Sequence, residues 1–315
     1  MEKLTVALIS GGISSEREVS LNGGNQVYES LDKDKYTIVR YDPKTDLAKL
    51  AADAEQIDFA LIILHGPYGE DGTVQGMLDL LGIPYQGSCV TGSALAMNKL
   101  TAKQIYERSG IPIPAYIVLR RGDELNSEDV VKRLSLPLVI KPVSCGSSVG
   151  MSIVKSKEYL AEAIEKAFSH DTCILVEAYI EGVELTGSVI GNDTLEALPI
   201  IEIIPDENHD FFDYEAKYTS GLTQEICPAR IDETLTEKAQ IYAKMAHSAL
   251  FCRGYSRTDM ILNGKDMYIL ETNTIPGMAS TSLLPLAAKT AGISFTHLLD
   301  RLIELGLEAH QRGER

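Results

Sequence analysis

Asp259, Glu271 and Asn273 fall inside a segment otherwise patterned as a buried hairpin. Residues 253–278, RGYSRTDMILNGKDMYILETNTIPGM, read as a strand over 257–262, a tight turn at Asn263-Gly264, and a second strand over 267–272. A Pro-Gly exit follows at Pro276-Gly277. Asp259 interrupts the first apolar run, while Glu271 and Asn273, two apart, share one face of the second. Two carboxylates and an amide oxygen on a rigid hairpin form a hard, oxygen-only donor set that suits Mg²⁺ held together with phosphates. For Asp259 and Glu271 to share a face, the hairpin needs a three-residue loop or a β-bulge. A two-residue Asn-Gly loop pairs Asp259 with Tyr268, on the face opposite Glu271. Either carboxylate alone would pass for a solvent-facing strand residue; the set, with Arg257 beside it, would not.

A second group of residues suits the phosphates. The stretch 137–154, PLVIKPVSCGSSVGMSIV, reads as strand, glycine-serine loop, strand. Lys141 ends the first strand, and Gly146-Ser147-Ser148 offers backbone N–H groups and hydroxyls able to cover a triphosphate. By itself such a loop is more often a plain hairpin. Upstream, one helix carries Lys99 and Lys103, of which Lys103 reads as part of a solvated face.

The elements that position these groups follow in order. Residues 4–10 form a buried strand, Gly11-Gly12 turns into a helix running to Leu31, and Ser15-x-x-Glu18 forms its capping box. Strands at 36–41 and 59–64 continue a βαβ rhythm. The third strand runs into the polar loop His65–Gly72, at the place where ligands sit in open α/β sheets. Within that loop Glu70 reads as a support. A helix over 74–81 and a strand at 83–85 close a first domain near residue 90. A helix over 157–168 and a strand over 173–180 carrying Glu177 follow, and from Glu181 the pattern turns antiparallel. Residues 206–227 are aromatic, polar and aperiodic, and read as a functional lid. A helix over 233–251 precedes the hairpin, and helices over 281–291 and 295–307 come last.

The chain has 315 residues, enough for two or three subdomains, and a net charge of −16 from 29 Lys+Arg and 45 Asp+Glu. That balance argues against nucleic acid or an anionic membrane as partner, so any anion site must be built locally. No apolar run reaches membrane-spanning length, and residues 1–12 carry no signal-peptide pattern. The five cysteines (89, 145, 173, 227 and 252) have no zinc or disulfide spacing and read as reduced cytosolic thiols. GGISSERE is not a dinucleotide fingerprint, which argues against a nicotinamide dehydrogenase.

Four separated stretches, GGISSEREVSL, HGPYGEDGTVQG, KPVSCGSSVGM and SRTDMIL…LETNTIPGM, with DYEAKY in the lid, together resemble the D-alanine–D-alanine ligases. The resemblance runs along essentially the whole chain. It implies an α/β (α+β) architecture: a doubly wound Rossmann-like domain over 1–90, then a two-part ATP-grasp fold, central over 91–182 and C-terminal over 183–315. It also implies ATP-dependent joining of two D-alanines through an acyl phosphate, for peptidoglycan precursor synthesis in the cytoplasm, by a homodimer. A binding module without chemistry would be expected to lose the metal ligands or the lid.

By motif match, Asp259, Glu271 and Asn273 would hold two Mg²⁺ or Mn²⁺ ions. Lys99, Lys141, Ser147 and Lys217 would contact phosphates. Glu177, Ala178 and Ile180 would meet the adenine, and Glu184 the ribose. Arg257 and the Gly277 N–H would stabilise the oxyanion. Glu16 would bind the first D-alanine's ammonium and Ser282 the second one's carboxylate, with His65 in the substrate region. Glu16, Ser147 and Tyr218 would link to close the lid over the intermediate. Another ATP-grasp ligase using different amino acids is the alternative. The lid sequence Tyr-Glu-Ala-Lys-Tyr at 214–218 favours a dipeptide over a D-lactate product. Cys145, Ala279 and Asn98 depart from the family's usual acid, Thr and Asp.

Overall fold

Three sheets follow one another along the chain in the computed structural model, which describes residues 3–124, 126–146, 148–205 and 223–313. Ser147, Lys217 and Tyr218, and the lid over 206–222, lie outside the described residues.

The first sheet is parallel, in the order β2-β1-β3. It is wound from β1 (Leu4–Ile9), α1 (Arg17–Ser30), β2 (Tyr36–Tyr41), α2 (Leu47–Ala52), β3 (Phe59–Ile62) and α3 (Thr73–Leu81). Strands β1 and β3 are apolar on both faces because both faces are covered, whereas β2 at the edge carries exposed Thr37 and Arg40. The expected strand at 83–85 is reduced to one parallel bridge between Ala60 and Tyr85. The Ser15–Glu18 capping box does not form. Glu16 takes the N-cap position without a side-chain cap, and Ser15 is exposed. Ser14 does the local work instead: its Oγ accepts from the Glu16 N–H (3.2 Å) and donates to the His65 carbonyl (2.7 Å).

The second sheet, β4-β7-β5-β6, is antiparallel. It comprises β4 (Tyr116–Arg120), β5 (Leu138–Pro142), β6 (Ser152–Val154) and β7 (Cys173–Ala178), with α6 (Ser127–Leu134) and α7 (Leu160–Phe168) closing one face around Leu138, Ile140, Leu160 and Ile174. Before it come α4 (Val90–Met97) and α5 (Lys99–Arg108). Asn98 caps α5 by accepting from the Thr101 N–H (2.9 Å), which is what the usual aspartate would also do.

The third sheet, β11-β10-β8-β12-β13 with β9 on β8, is antiparallel. Its strands are β8 (Val183–Gly191), β9 (Glu196–Ala197), β10 (Ile201–Pro205), β11 (Thr223–Ile226), β12 (Gly254–Asn263) and β13 (Asp266–Asn273). The helix α8 (Glu233–Ala249) packs with α4 and α5 on Met260, Leu262, Met267 and Ile269. On the buried side Tyr106 donates to Thr272 Oγ1 (2.7 Å), which sits 3.0 Å from Thr258 Oγ1. The last two helices, α9 (Leu283–Thr290) and α10 (Phe295–Gln311), turn back onto the first sheet. There Leu298, Leu302 and Ile303 join Val6, Leu8 and Phe59 in one core.

The hairpin turns through Gly264-Lys265, one residue later than the Asn-Gly pattern suggests, since Asn263 pairs with Asp266. Continued unbroken, that register would set Asp259 opposite Leu270. Instead a bulge between Asp259 and Met260 leaves Leu270 over, and Asp259 faces Glu271 with Arg257 facing Asn273. The shared face is therefore reached by the bulge and not by an odd loop.

Candidate active site

Two cavities meet at this hairpin. The larger, about 470 Å³, is bounded by Glu16, His65, Glu70, Arg257, Asn273, Gly277 and Ser282. The smaller, about 130 Å³, lies between the second and third sheets and is bounded by Lys141, Glu177, Ala178, Ile180, Glu184 and Asp259. Lys99 and Glu271 belong to both walls. The described residues singled out in the sequence thus gather around two adjoining spaces.

At the junction each carboxylate already faces a cation. Arg257 grips Asp259 through two 2.8 Å bonds, and Thr186 Oγ1 and Asn273 Nδ2 donate to the same carboxylate at 2.8 and 3.2 Å. The Lys99 ammonium stands 3.2 Å from Glu271 and donates to the Cys145 carbonyl at 2.8 Å. Burial alone would lower the Lys99 pKa, but Glu271 outweighs it and holds the ammonium charged. This arrangement fits hard divalent cations. The two carboxylates face each other across the hairpin, and a long cationic side chain pairs with each. Among the described residues no three His, Cys, Asp or Glu side chains are grouped so that they could hold a metal ion by themselves. Two carboxylates and an amide leave further positions to phosphate oxygens and water, as Mg²⁺ prefers.

The wall of the larger cavity is a cluster of buried ionisable groups. Glu16 and His65 are 5% and 6% exposed. Burial lowers the His65 pKa despite the nearby Glu16, keeping the ring neutral. Burial, with Glu16 close by, raises the Glu70 pKa to about 8, and its Oε2 accepts from the Gly66 N–H at 2.7 Å. Glu70 therefore ties the His65–Gly72 loop as expected, and also lines the cavity.

The Glu16 loop is held from behind by a pair that sequence reading missed. Arg17 binds Asp42 at 2.6 and 3.1 Å and donates to the Gly12 carbonyl at 2.7 Å, while Asp42 accepts from the Gly12 N–H at 2.9 Å. Burial pushes the Asp42 carboxyl up, but Arg17 and the Gly12 and Lys44 amides outweigh it and hold it at about 2. Gly11, at φ +97°, passes so close that a Cβ would lie 2.7 Å from Asp42 Oδ1. At the far wall, Ser282 takes the N-cap position of α9, and its Oγ lies 2.9 Å from where a Cβ on Gly277 would be. A helix N-terminus there favours an anionic group.

In the smaller cavity Glu177 is almost fully buried. Its Oε1 is 3.2 Å from Lys103 and its Oε2 3.1 Å from Lys141. Lys103 is completely buried, which corrects its reading as a solvated face; β7 covers it. Burial and the neighbouring Lys141 bring its pKa down to about 8, against the pull of Glu177. Its spacing four after Lys99 was the one available signal, since it puts both on one side of α5.

Patterns described as D-ala D-ala ligase N-terminus and D-ala D-ala ligase C-terminus match residues 40–88 and 105–304. The chain belongs to the D-alanine–D-alanine ligase family. It is 60% identical to a D-alanine–D-alanine ligase of Syntrophobacter fumaroxidans, over 98% of this chain and 99% of that one. A second such ligase, from Desulfotalea psychrophila, is 54% identical over 98% and 96%. Among solved structures, the D-alanine–D-alanine ligase of Bacillus anthracis superposes with a TM-score of 0.88 at 41% identity, covering 98% of this chain and 99% of that one. A D-alanine–D-alanine ligase of the same organism complexed with ATP gives 0.86 at 38%, over 98% and 99%. These ligases share the ATP-grasp fold, and so does this member. The D-Ala:D-Ser ligase VanG of Enterococcus faecalis is more distant, at 0.82 and 34% over 97% and 100%.

Proposed function

We propose that the chain joins two molecules of D-alanine into D-alanyl-D-alanine with conversion of ATP to ADP and phosphate, as a step of peptidoglycan precursor synthesis. The observation that carries this is the bulged hairpin setting Asp259 opposite Glu271 at the junction of the two cavities. One cavity takes the nucleotide and the other the amino acids, so the γ-phosphate arrives where the first carboxylate waits.

The γ-phosphoryl group passes from ATP to a carboxylate oxygen of the first D-alanine, giving an acyl phosphate and ADP. The amine of the second D-alanine attacks the carbonyl carbon, loses a proton, and phosphate leaves. Positioning and charge neutralisation dominate such a transfer. Lys99 and Lys141, with Lys217, contact the phosphates. Glu177, Ala178 and Ile180 contact the base, and Glu184 the ribose. Asp259, Glu271 and Asn273 would hold two Mg²⁺ or Mn²⁺ ions, which supply charge neutralisation and alignment of the phosphates. Glu16 binds the first ammonium, with His65 beside it, and Ser282 at the start of α9 receives the second carboxylate. Arg257 and the Gly277 N–H stabilise the oxyanion of the tetrahedral intermediate. Glu16, Ser147 and Tyr218 link to close the lid, excluding water from the acyl phosphate.

A homodimeric, cytoplasmic enzyme belongs to the same proposal, supported by family pattern and by five free cysteines. Among the described residues no helix is long and apolar enough to cross a membrane. The test is phosphate release from Mg-ATP with D-alanine, L-alanine, or D-alanine plus D-serine or D-lactate, with products identified by mass. D-alanine-dependent release yielding the D-Ala–D-Ala dipeptide is the expected result. Turnover with another amino acid but not D-alanine overturns the substrate; no turnover with any acceptor overturns the reaction.

A further inference from the structure

Lys103 is a fully buried ammonium that touches neither cavity. It stands behind the nucleotide cavity, with its Nζ 3.2 Å from Glu177 Oε1 and 5.6 Å from the centroid of the Tyr116 ring. The other oxygen of Glu177 is taken by Lys141 at 3.1 Å. Three elements converge here: α5 carries Lys103, β5 carries Lys141, and β7 carries Glu177 opposite both Tyr116 and Val139. Taking a lysine wholly out of water is costly and is offset only by a close, well-oriented partner. A second lysine on a carboxylate that Lys141 already neutralises leaves these three groups with a net positive charge, offset from outside the cluster by Glu107.

What Lys103 does control is the state of Glu177, which lines the cavity while Lys103 does not. With one ammonium within ion-pair distance of each oxygen, Glu177 is held ionised, and an ionised carboxylate only accepts hydrogen bonds. A nucleobase edge presenting an amino group there is retained. An edge presenting a carbonyl meets like against like, and a site built for one hydrogen-bonding partner rejects its isostere strongly. We propose that Lys103 is a positioning residue for nucleotide selection, holding Glu177 as an acceptor-only group so that the site takes a 6-amino purine and rejects a 6-oxo purine. The inference rests on the assignment of Glu177 to the base contact. Without Lys103, burial pushes Glu177 toward its protonated form, opposed by Lys141 and, without direct contact, by Lys99. A protonated carboxyl can donate as well as accept, so the 6-oxo base gains a partner while the 6-amino base keeps only a neutral, weaker acceptor.

The experiment compares ATP with ITP as phosphoryl donor at saturating D-alanine, in wild type, Lys103→Met, Glu177→Gln and the double variant. Lys103→Gln serves as a second substitution of similar length should the Met variant fold poorly. The expected result for Lys103→Met is a rise of about tenfold in KM for ATP with a fall in the ATP/ITP preference of at least that size. The kcat with ATP and the KM for D-alanine stay within about twofold of wild type. Because Lys103 acts through Glu177, the double variant matches Glu177→Gln alone, with the two losses far from additive. Wild-type KM and preference in both Lys103 variants overturn the inference, as does additivity in the double variant. A wild type that releases phosphate with D-alanine but does not distinguish ATP from ITP overturns the base contact of Glu177. Absence of D-alanine-dependent release overturns the ligase reading instead.

Discussion

Replacing Glu70 with glutamine should make the protein less sensitive to alkali, and the size of the effect follows from the wall of the larger cavity. Burial, reinforced by Glu16, raises the Glu70 pKa from its ordinary 4.5 to about 8, so the folded chain holds this carboxyl protonated at neutral pH. A raised acid pKa means that the folded state binds a proton the unfolded state has already lost. Stability from this group therefore falls as pH rises from about 4.5 to about 8 and is level above that. At 1.36 kcal/mol per pH unit, the full fall is on the order of 4–5 kcal/mol. Glutamine has the same shape, its carbonyl oxygen can still accept from the Gly66 N–H, and it does not ionise. The assay is urea unfolding of wild type and Glu70→Gln at half-unit steps from pH 5 to 9. The difference between the two curves should grow in favour of the variant by about 1.4 kcal/mol per pH unit, flattening near pH 8 and constant above it. Curves that run parallel across the range refute a protonated Glu70.

Three further outcomes are expected. Glu271→Gln removes a proposed metal ligand while leaving Asp259 and Asn273, so turnover should fall roughly a hundredfold or more, partly recovering at high Mg²⁺; an unchanged Mg²⁺ dependence of phosphate release counts against the site. Gly277→Ala brings a methyl to 2.9 Å from Ser282 Oγ and must displace that hydroxyl. The KM for the second D-alanine should rise roughly tenfold with the nucleotide KM unmoved, and equal shifts in both would contradict the placement. Tyr106→Phe deletes the 2.7 Å bond to Thr272, which keeps Thr258 as neighbour. The expected loss is about 1 kcal/mol, or ~2 °C in Tm by calorimetry, and no loss means that bond adds nothing.

How far the site could be read in advance depends on how local each feature is. The hairpin was legible because alternation along two adjacent strands decides which faces are shared. The need for a bulge could be stated from register alone. That Leu270 would be the residue left over could not, since the turn slipped to Gly264-Lys265. The Ser15–Glu18 box failed because a neighbouring hydroxyl, Ser14, had a better partner in the distant His65 carbonyl. Asp42 and Arg17 lie 25 residues apart, and no spacing rule joins them. Lys103 was misread for the same reason: the helix pattern around it is polar, and its burial comes from β7, much later in the chain. Charges whose partners arrive from remote segments are what pattern reading loses.

The return of α9 and α10 onto the first sheet has a consequence for how the chain is made. Val6, Leu8 and Phe59 share their core with Leu298, Leu302 and Ile303, Asp300 receives both Lys35 and Tyr36, and Gly306 lies where a methyl would come within 2.6 Å of the Phe59 ring. On the ribosome the opening strands therefore emerge long before the helices that cover one of their faces. The earliest segment waits with apolar surface exposed while the rest is synthesised, a state open to chaperones and to aggregation. A fragment cut near residue 90 keeps that exposed face permanently. For transplantation into another protein, the smallest piece that includes the first sheet must also include residues 283–311.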